Sequence, residues 1–198
     1  MNGHELILFA RVESQGSLQL LTARDLSTDN CYDCSQLSSL HSLQNRVECT
    51  LEQTINQLGV ESAKAQNLKA PITSFQRLLN GSFPNSPTKY SDCIYLLLTC
   101  DSNEDFSVLG FIKTGNRSLY LQRDVMLHLV ADFYVRERRK GFGFLLFSQM
   151  LKFENVKAKN CAIDRPTPCM LSFLKKHFSL ENPLPQHNRY VIFDGFFM

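Results

Sequence analysis

No stretch of the 198 residues approaches the roughly 20 consecutive apolar positions that a membrane-spanning helix needs, so no membrane role is expected. The opening MNGHELILFARVES carries an acidic residue, only a short apolar run and no small-residue cleavage site, which argues against a secretory signal. Charge of one sign is also missing. With 21 Lys and Arg against 19 Asp and Glu, the formal charge of +2 lacks the basic surplus of a dedicated nucleic-acid binder, and any basic patch has to be local. These absences point to a cytosolic protein whose seven cysteines stay reduced and whose sequons at Asn80 and Asn116 are chance matches. Cys31-x-x-Cys34 could begin a metal site with His41 or Cys49, but it has no second pair at zinc-ribbon spacing, and no metal is expected. Internal repeats and low-complexity tails are absent.

What is present describes a globular chain: 43% hydrophobic residues, 15 Phe and 20% charged residues, expected to form a single domain over residues 1–198. Two extended segments open it, His4 to Val12 and Ser17 to Thr22. Residues 23–40 turn polar and aperiodic and read as a surface loop. Leu40, Leu43, Val47, Leu51, Ile55 and Leu58 recur at three- and four-residue steps, predicting an amphipathic helix that stops near Gly59. A short helix from Glu61 to Lys69 ends before Pro71, and Thr73 to Asn80 adds another turn or two. After a loop over 82–92, three short strands (Cys93 to Thr99, Ser107 to Thr114, Ser118 to Leu121) form an antiparallel meander.

The informative stretch runs from Leu127 to Leu151. Leu127, Leu129, Ala131 and Phe133 alternate with His128, Val130, Asp132 and Tyr134, apolar on most of both faces, as in a central strand. His128, facing away from Leu129, reads as a packed histidine. A basic turn follows with Arg138-x-x-Gly141-x-Gly143, and an apolar helix follows that. Glycines let the backbone approach a ligand, and the first N–H groups of a helix have no intrahelical partners, so this order suits a pyrophosphate. The spacing is not the Gly-x-Gly-x-x-Gly of a dinucleotide fold. A solvated turn is the plainer reading of Arg136, Arg138, Arg139 and Lys140. Further on, Cys161 to Ile163 forms a short buried strand ending at Asp164, Thr167 is an N-cap with Pro168 at the first helical position, and Tyr190 to Phe193 is a last strand. The order is that of an α+β fold in which the strands before the two late helices can run parallel and splay around a ligand.

The strand, Arg-x-x-Gly-x-Gly and helix arrangement resembles the coenzyme A loop of the GCN5-related N-acetyltransferases (GNAT). Five segments narrow the resemblance: Ala63 to Leu68 with Ala70 to Ser74, Leu109 to Lys113, Asp132-Phe133-Tyr134, Ala162 to Pro166, and Val191 to Phe197. Their order and gaps resemble the α-tubulin N-acetyltransferase family from about Leu43 to Phe197. That resemblance implies a GNAT-like α+β fold, with a mostly antiparallel central sheet, flanking helices and a splayed parallel strand pair for the cofactor. It implies acetyl-CoA as donor and a lumenal lysine of α-tubulin in microtubules as acceptor, without metal, nucleic acid or membrane. A cytoplasmic, microtubule-associated monomer follows, with cilia or axons as settings.

By position in the family pattern, Phe133, Tyr134 and Val135 with Arg138, Arg139, Lys140, Gly141, Phe142, Gly143 and Phe144 match the cofactor's strand and pyrophosphate loop. Thr167, Pro168, Cys169, Ser172, Lys175 and Lys176 match its other wall. Gln66 matches a position required for activity, and Asp164 the catalytic carboxylate. Three departures stand out. Leu129 occupies the place of a family cysteine, the loop before the glycines is about two residues shorter, and Phe144-Leu145 replaces a more polar pair. A catalytically weak or inactive member that binds acetyl-CoA or microtubules is therefore the alternative.

The chemistry sets one demand. A lysine with an ordinary pKa near 10.4 is neutral in only about one molecule in 2,500 at pH 7, so a base or a shifted equilibrium is required. Asp164 is the candidate base, given partial burial or a water relay. Backbone N–H groups of Phe133 to Val135 are candidates to hold the thioester oxygen. Cys169, near a helix start, is a candidate substitute for the missing thiol, although such a cysteine is more often core. Plainer readings make Asp164 a turn residue and Gln66 a surface helix residue.

Overall fold

The computed structural model describes residues 6–25, 30–33, 41–80, 92–101, 105–118, 126–186 and 189–196. The readings made for His4, for residues 26–29 and 34–40 (Cys34 among them), for 82–91, for 119–121 and for Phe197 lie outside the described residues. One sheet organises the rest. In space its strands run β3 (Cys31–Asp33), β2 (Leu18–Asp25), β1 (Leu6–Glu13), β4 (Asp92–Cys100), β5 (Phe106–Ser118), β6 (Met126–Val135), β7 (Cys161–Asp164), β9 (Tyr190–Ile192) and β8 (Leu184–Pro185). Each neighbouring pair is antiparallel except β6 and β7, the two strands that precede the late helices α4 (Phe142–Phe153) and α5 (Pro168–Phe178).

β4 explains why the sheet has helices on both sides. Its run DCIYLLLTC is apolar at consecutive positions, so both faces need cover. Ile94, Leu96 and Leu98 join the core formed with Leu43, Val47, Leu51, Ile55 and Leu58. Those five belong to α1 (His41–Cys49) and α2 (Leu51–Ala65). Cys93, Tyr95 and Leu97 join the opposite core with Leu146, Phe147 and Met150 of α4 and Leu174 of α5. Each fully buried Leu- or Phe-sized side chain contributes about 1.5–3 kcal/mol.

Four sequence expectations change. Ala23 to Asp25 continue β2, and Cys31–Asp33 adds an edge strand, so the loop expected over 23–40 contains strand at both places. Polar composition hides an edge strand because only one of its sides is paired. The single long helix is two, broken at Thr50, whose hydroxyl lies 3.2 Å from the Val47 carbonyl. α2 then runs through Gly59 to Ala65, taking in the start of the second expected helix. Gly59 is a point of close approach: a Cβ there would lie 2.0 Å from the Thr73 carbonyl oxygen. The Thr73 segment therefore crosses α2 at backbone contact, leading into α3 (Phe75–Leu79). Finally, β5 is one strand through Gly115. It is held by buried Asp92, which pairs with Lys113 at 3.0 Å and with Arg117.

The central strand hides a bulge. Lys113 pairs with Asp132 and Thr114 with Val130, so Ala131 has no partner on β5. The extra residue reverses the alternation expected from the sequence. Leu127 and Leu129 share a face with Asp132, which reaches Ser62 of α2, whereas Val130 packs with Phe133 and Val135 in the opposite core.

Candidate active site

β6 and β7 pair in parallel only over His128–Cys161, Leu129–Ala162 and Val130–Ile163. On its other edge β6 stays paired with β5 as far as Val135–Gly110. From Ala131 to Val135, then, the side of β6 facing β7 has no strand partner among the described residues. Buried main-chain groups without partners are costly, so this edge is a ready binding surface for an extended ligand. The gap opens into a cavity of about 1200 Å³.

At one end of that cavity Gly141 adopts φ 85° and precedes α4. A Cβ at Gly141 would touch nothing within 4 Å, so the left-handed backbone rather than lack of space is what requires glycine here. The turn aims the N–H groups of Phe142, Gly143 and Phe144 away from the helix, where they have no intrahelical acceptor. Arg138 and Arg139 line the same region and make no ion pair among the described residues, which leaves them available to an anion. Phe144 is 44% exposed, with its ring stacked on His177 at 5.0 Å.

Most residues singled out from the sequence meet on this cavity. Phe133, Tyr134 and Val135, the turn residues Arg138, Arg139, Gly141, Gly143 and Phe144, and Thr167, Pro168, Cys169, Ser172 and Lys176 all line it, as do Gln66 and Asp164. Three do not. Lys140 pairs with Glu137, Lys175 pairs with Glu181 at 3.1 Å, and the Phe142 side chain packs into the core under α4. A helix turns its successive side chains through 3.6 residues per turn, so neighbours in a motif cannot all face one ligand. Arg136 also leaves the basic loop: Nε and Nη2 donate to the two Glu61 carboxylate oxygens at 2.8 Å and Nη1 to the Val108 carbonyl at 2.8 Å, tying β6 to α2 and β5. The guanidinium holds the Glu61 carboxyl below its ordinary range.

Asp164 stands at the end of β7 with its side chain 16% exposed, accepting Nε and Nη2 of Arg165 at 3.0 Å each. Arg165 has φ 43°, and that left-handed backbone folds its side chain back onto its neighbour. Asp164 does not cap α5. Thr167 does, its hydroxyl accepting the Met170 N–H at 3.2 Å. A carboxylate offers about four lone-pair sites, so Asp164 keeps capacity beyond the two that Arg165 uses.

The residue that sequence reading missed as a site group is Asp132. It is 5% exposed and lines the cavity, and it accepts hydrogen bonds from Ser62 (2.8 Å), Gln66 Nε2 (2.9 Å) and Thr73 (2.6 Å). Burial pushes its carboxyl above the ordinary value of 3.8, and the Thr73, Ser62 and Gln66 bonds pull it back. Its signal was the Asp132-Phe133-Tyr134 motif, but the unshifted alternation put it on the wrong face. Leu129 sits in an apolar cluster with Leu127, Ala162 and Ile192, off the cavity wall. His128 is buried on the opposite face, where burial lowers its pKa against a smaller upward pull from Glu154. Among the described residues no group of three His, Cys, Asp or Glu side chains is placed to hold a metal.

Comparison with known proteins decides the family. The model described as GNAT acetyltransferase, Mec-17 matches residues 21–198. The chain belongs to this family. The mostly antiparallel sheet with one parallel pair is that of a GNAT-family domain. An α-tubulin N-acetyltransferase 1 of Drosophila melanogaster is 36% identical over 156 residues, 74% of this chain and 32% of that protein. One of Danio rerio is 41% identical over 152 residues, 72% of this chain and 48% of that protein, and an α-tubulin N-acetyltransferase of Aedes aegypti is 38% identical over 74% of this chain and 53% of that protein. The chain thus spans between about a third and just over half the length of these curated relatives.

Proposed function

We propose that this chain transfers an acetyl group from acetyl-CoA to a lysine of α-tubulin, the lumenal lysine of assembled microtubules, in the cytoplasm. The observation that carries the reading is the convergence on one cavity of an unpaired β6 edge, an anion-ready turn at Gly141 to Phe144, and two polar groups from separate elements, Asp164 and Gln66. The Mec-17 family match and the names of the relatives support it.

In this reading the donor's diphosphate lies on the Gly141–Phe144 turn with Arg138 and Arg139 beside it, and the pantetheine amides continue along β6 as an added strand. Along Phe133 to Val135, the N–H groups that face the gap rather than β5 are the candidates to hold the thioester oxygen. Thr167, Pro168, Cys169, Ser172 and Lys176 form the facing wall. The lysine nitrogen, once neutral, attacks the thioester carbon: the C–N bond forms, the C–S bond breaks with its electron pair going to sulfur, and the surplus proton on nitrogen passes toward Asp164. The thiolate leaves as coenzyme A and takes up a proton. No acyl-enzyme is required.

A weaker reading, a family member that binds without effective turnover, draws on Leu129, a hydrocarbon where the family pattern has a thiol. Mass spectrometry of acetyl-lysine on polymerised tubulin, incubated with purified chain and acetyl-CoA, separates the two. The proposal expects a single dominant acetylated lysine on α-tubulin and at least a hundredfold loss of rate in Asp164→Asn. Unmodified tubulin would favour the binding role, and full activity in Asp164→Asn would remove Asp164 as the base.

A further inference from the structure

Gln66 ends α2 beside the cavity, and its side-chain amide is anchored on one side only. Nε2 lies 2.9 Å from Asp132 Oδ1 and 2.8 Å from Ser62 Oγ. The Ser62 hydroxyl itself donates to Asp132 Oδ1 at 2.8 Å, so its oxygen is free to accept the second N–H of Gln66. Thr73 donates to the other Asp132 oxygen at 2.6 Å, which fixes the carboxylate plane. The closed triangle of Gln66, Ser62 and Asp132 has one consistent proton arrangement with the carboxylate ionised: both amide protons point inward. Turning the amide over would set its carbonyl oxygen against a carboxylate oxygen with no proton between them. Among the described residues nothing donates to Gln66 Oε1.

We infer that Asp132 is a positioning residue whose task is to present the carbonyl oxygen of Gln66, rather than its NH2 group, to the acceptor lysine. This rests on the proposed acetyl transfer. A carbonyl oxygen at the cavity wall accepts an N–H of the incoming amine and directs the nitrogen lone pair toward the thioester. An NH2 group in its place would compete for that lone pair and block attack. Gln66 takes no proton in this scheme; the proton released as the C–N bond forms still leaves toward Asp164. Burial gives the arrangement its rigidity, since Ser62 is 1% exposed and Thr73 1%. It also gives a structural reason for Gly59, without which the Thr73 segment would not come close enough to hold the carboxylate.

The test is a double-mutant cycle with a substrate-free readout beside it. Asp132→Leu should lower kcat at least tenfold and leave KM for acetyl-CoA within about twofold, while Asp132→Asn, whose Oδ1 still accepts the Gln66 N–H, recovers most of that loss. In a Gln66→Ala background, Asp132→Leu should cost less than about twofold more. In nitrogen-15 NMR of the wild-type chain, the Gln66 side-chain amide protons should be protected from solvent exchange, and the protection should be lost in Asp132→Leu. If that variant fails to fold, Ser62→Ala serves in its place, with the same loss of protection and a smaller fall in kcat. Fully multiplicative losses in the cycle, Asp132→Asn as inactive as Asp132→Leu, or a freely exchanging Gln66 amide in the wild type would each overturn the inference. A wild-type chain that leaves tubulin unmodified would defeat the proposed function, while the exchange measurement, made without substrate, still decides how the amide is turned.

Discussion

At the residue scale, two of the carboxylates that line the cavity stand in different surroundings. Asp164 is bonded to the guanidinium of its own neighbour and opens on the cavity. Asp132 is buried among neutral donors and lifted by desolvation. The sequence motif around Asp164 was legible because strand, turn, N-cap Thr167 and Pro168 each leave a local mark. Asp132 was legible as a motif member but not as a site group, because the register shift at Ala131 is set by pairing with β5 and leaves no trace in composition. The Leu129 departure yields a prediction at this scale. Its side chain packs with Leu127, Ala162 and Ile192, away from the cavity wall. Leu129→Cys should therefore leave the tubulin acetylation rate within about threefold while costing about 1–3 kcal/mol of stability from lost packing, read by urea denaturation. A tenfold gain in rate would instead make the missing thiol a real deficit.

At the scale of elements, α2 does more than cover the sheet. Its C-terminal turns carry Ser62 and Gln66 to the site, Glu61 ties it to Arg136 at the end of β6, and Gly59 admits the Thr73 segment. The apolar stripe of α1 and α2 was legible from its period. The break at Thr50 and the passage through Gly59 were not, because a glycine that serves close approach looks the same in sequence as one that ends a helix. Gly59→Ala would set a methyl group against a backbone oxygen, and we expect a loss of about 2–4 kcal/mol in the urea midpoint analysis, with kcat falling as Thr73 is displaced. A neutral effect on both would show that the crossing is loose. The Glu61–Arg136 bond carries a pH signature. Because the folded-state pKa of Glu61 is depressed from its ordinary 4.5, its contribution to stability is complete above that value and is lost as pH falls through the lower folded value. Glu61→Gln should thus be less stable than wild type at pH 7, with the difference shrinking toward pH 3. A gap that stays constant with pH would assign it to packing alone.

At the scale of the whole molecule, one sheet lies between two sets of helices, and the candidate site's gap is made by where pairing stops. The parallel pair was foreseeable from the sequence of elements, since strands preceding helices in succession run parallel. The edge strands β3 and β8 were not, being only three and two residues long. The account as a whole stands on the claim that the unpaired run from Ala131 to Val135, with the Gly141 turn beyond it, is where coenzyme A lies. Hydrogen–deuterium exchange with and without saturating coenzyme A tests this most directly. The expected result is slowed exchange confined to the amides of Ala131–Val135 and Gly141–Phe144, with the remote strands β1 and β2 unchanged. Binding that leaves those amides exchanging at their free rate, with protection appearing elsewhere, would contradict it.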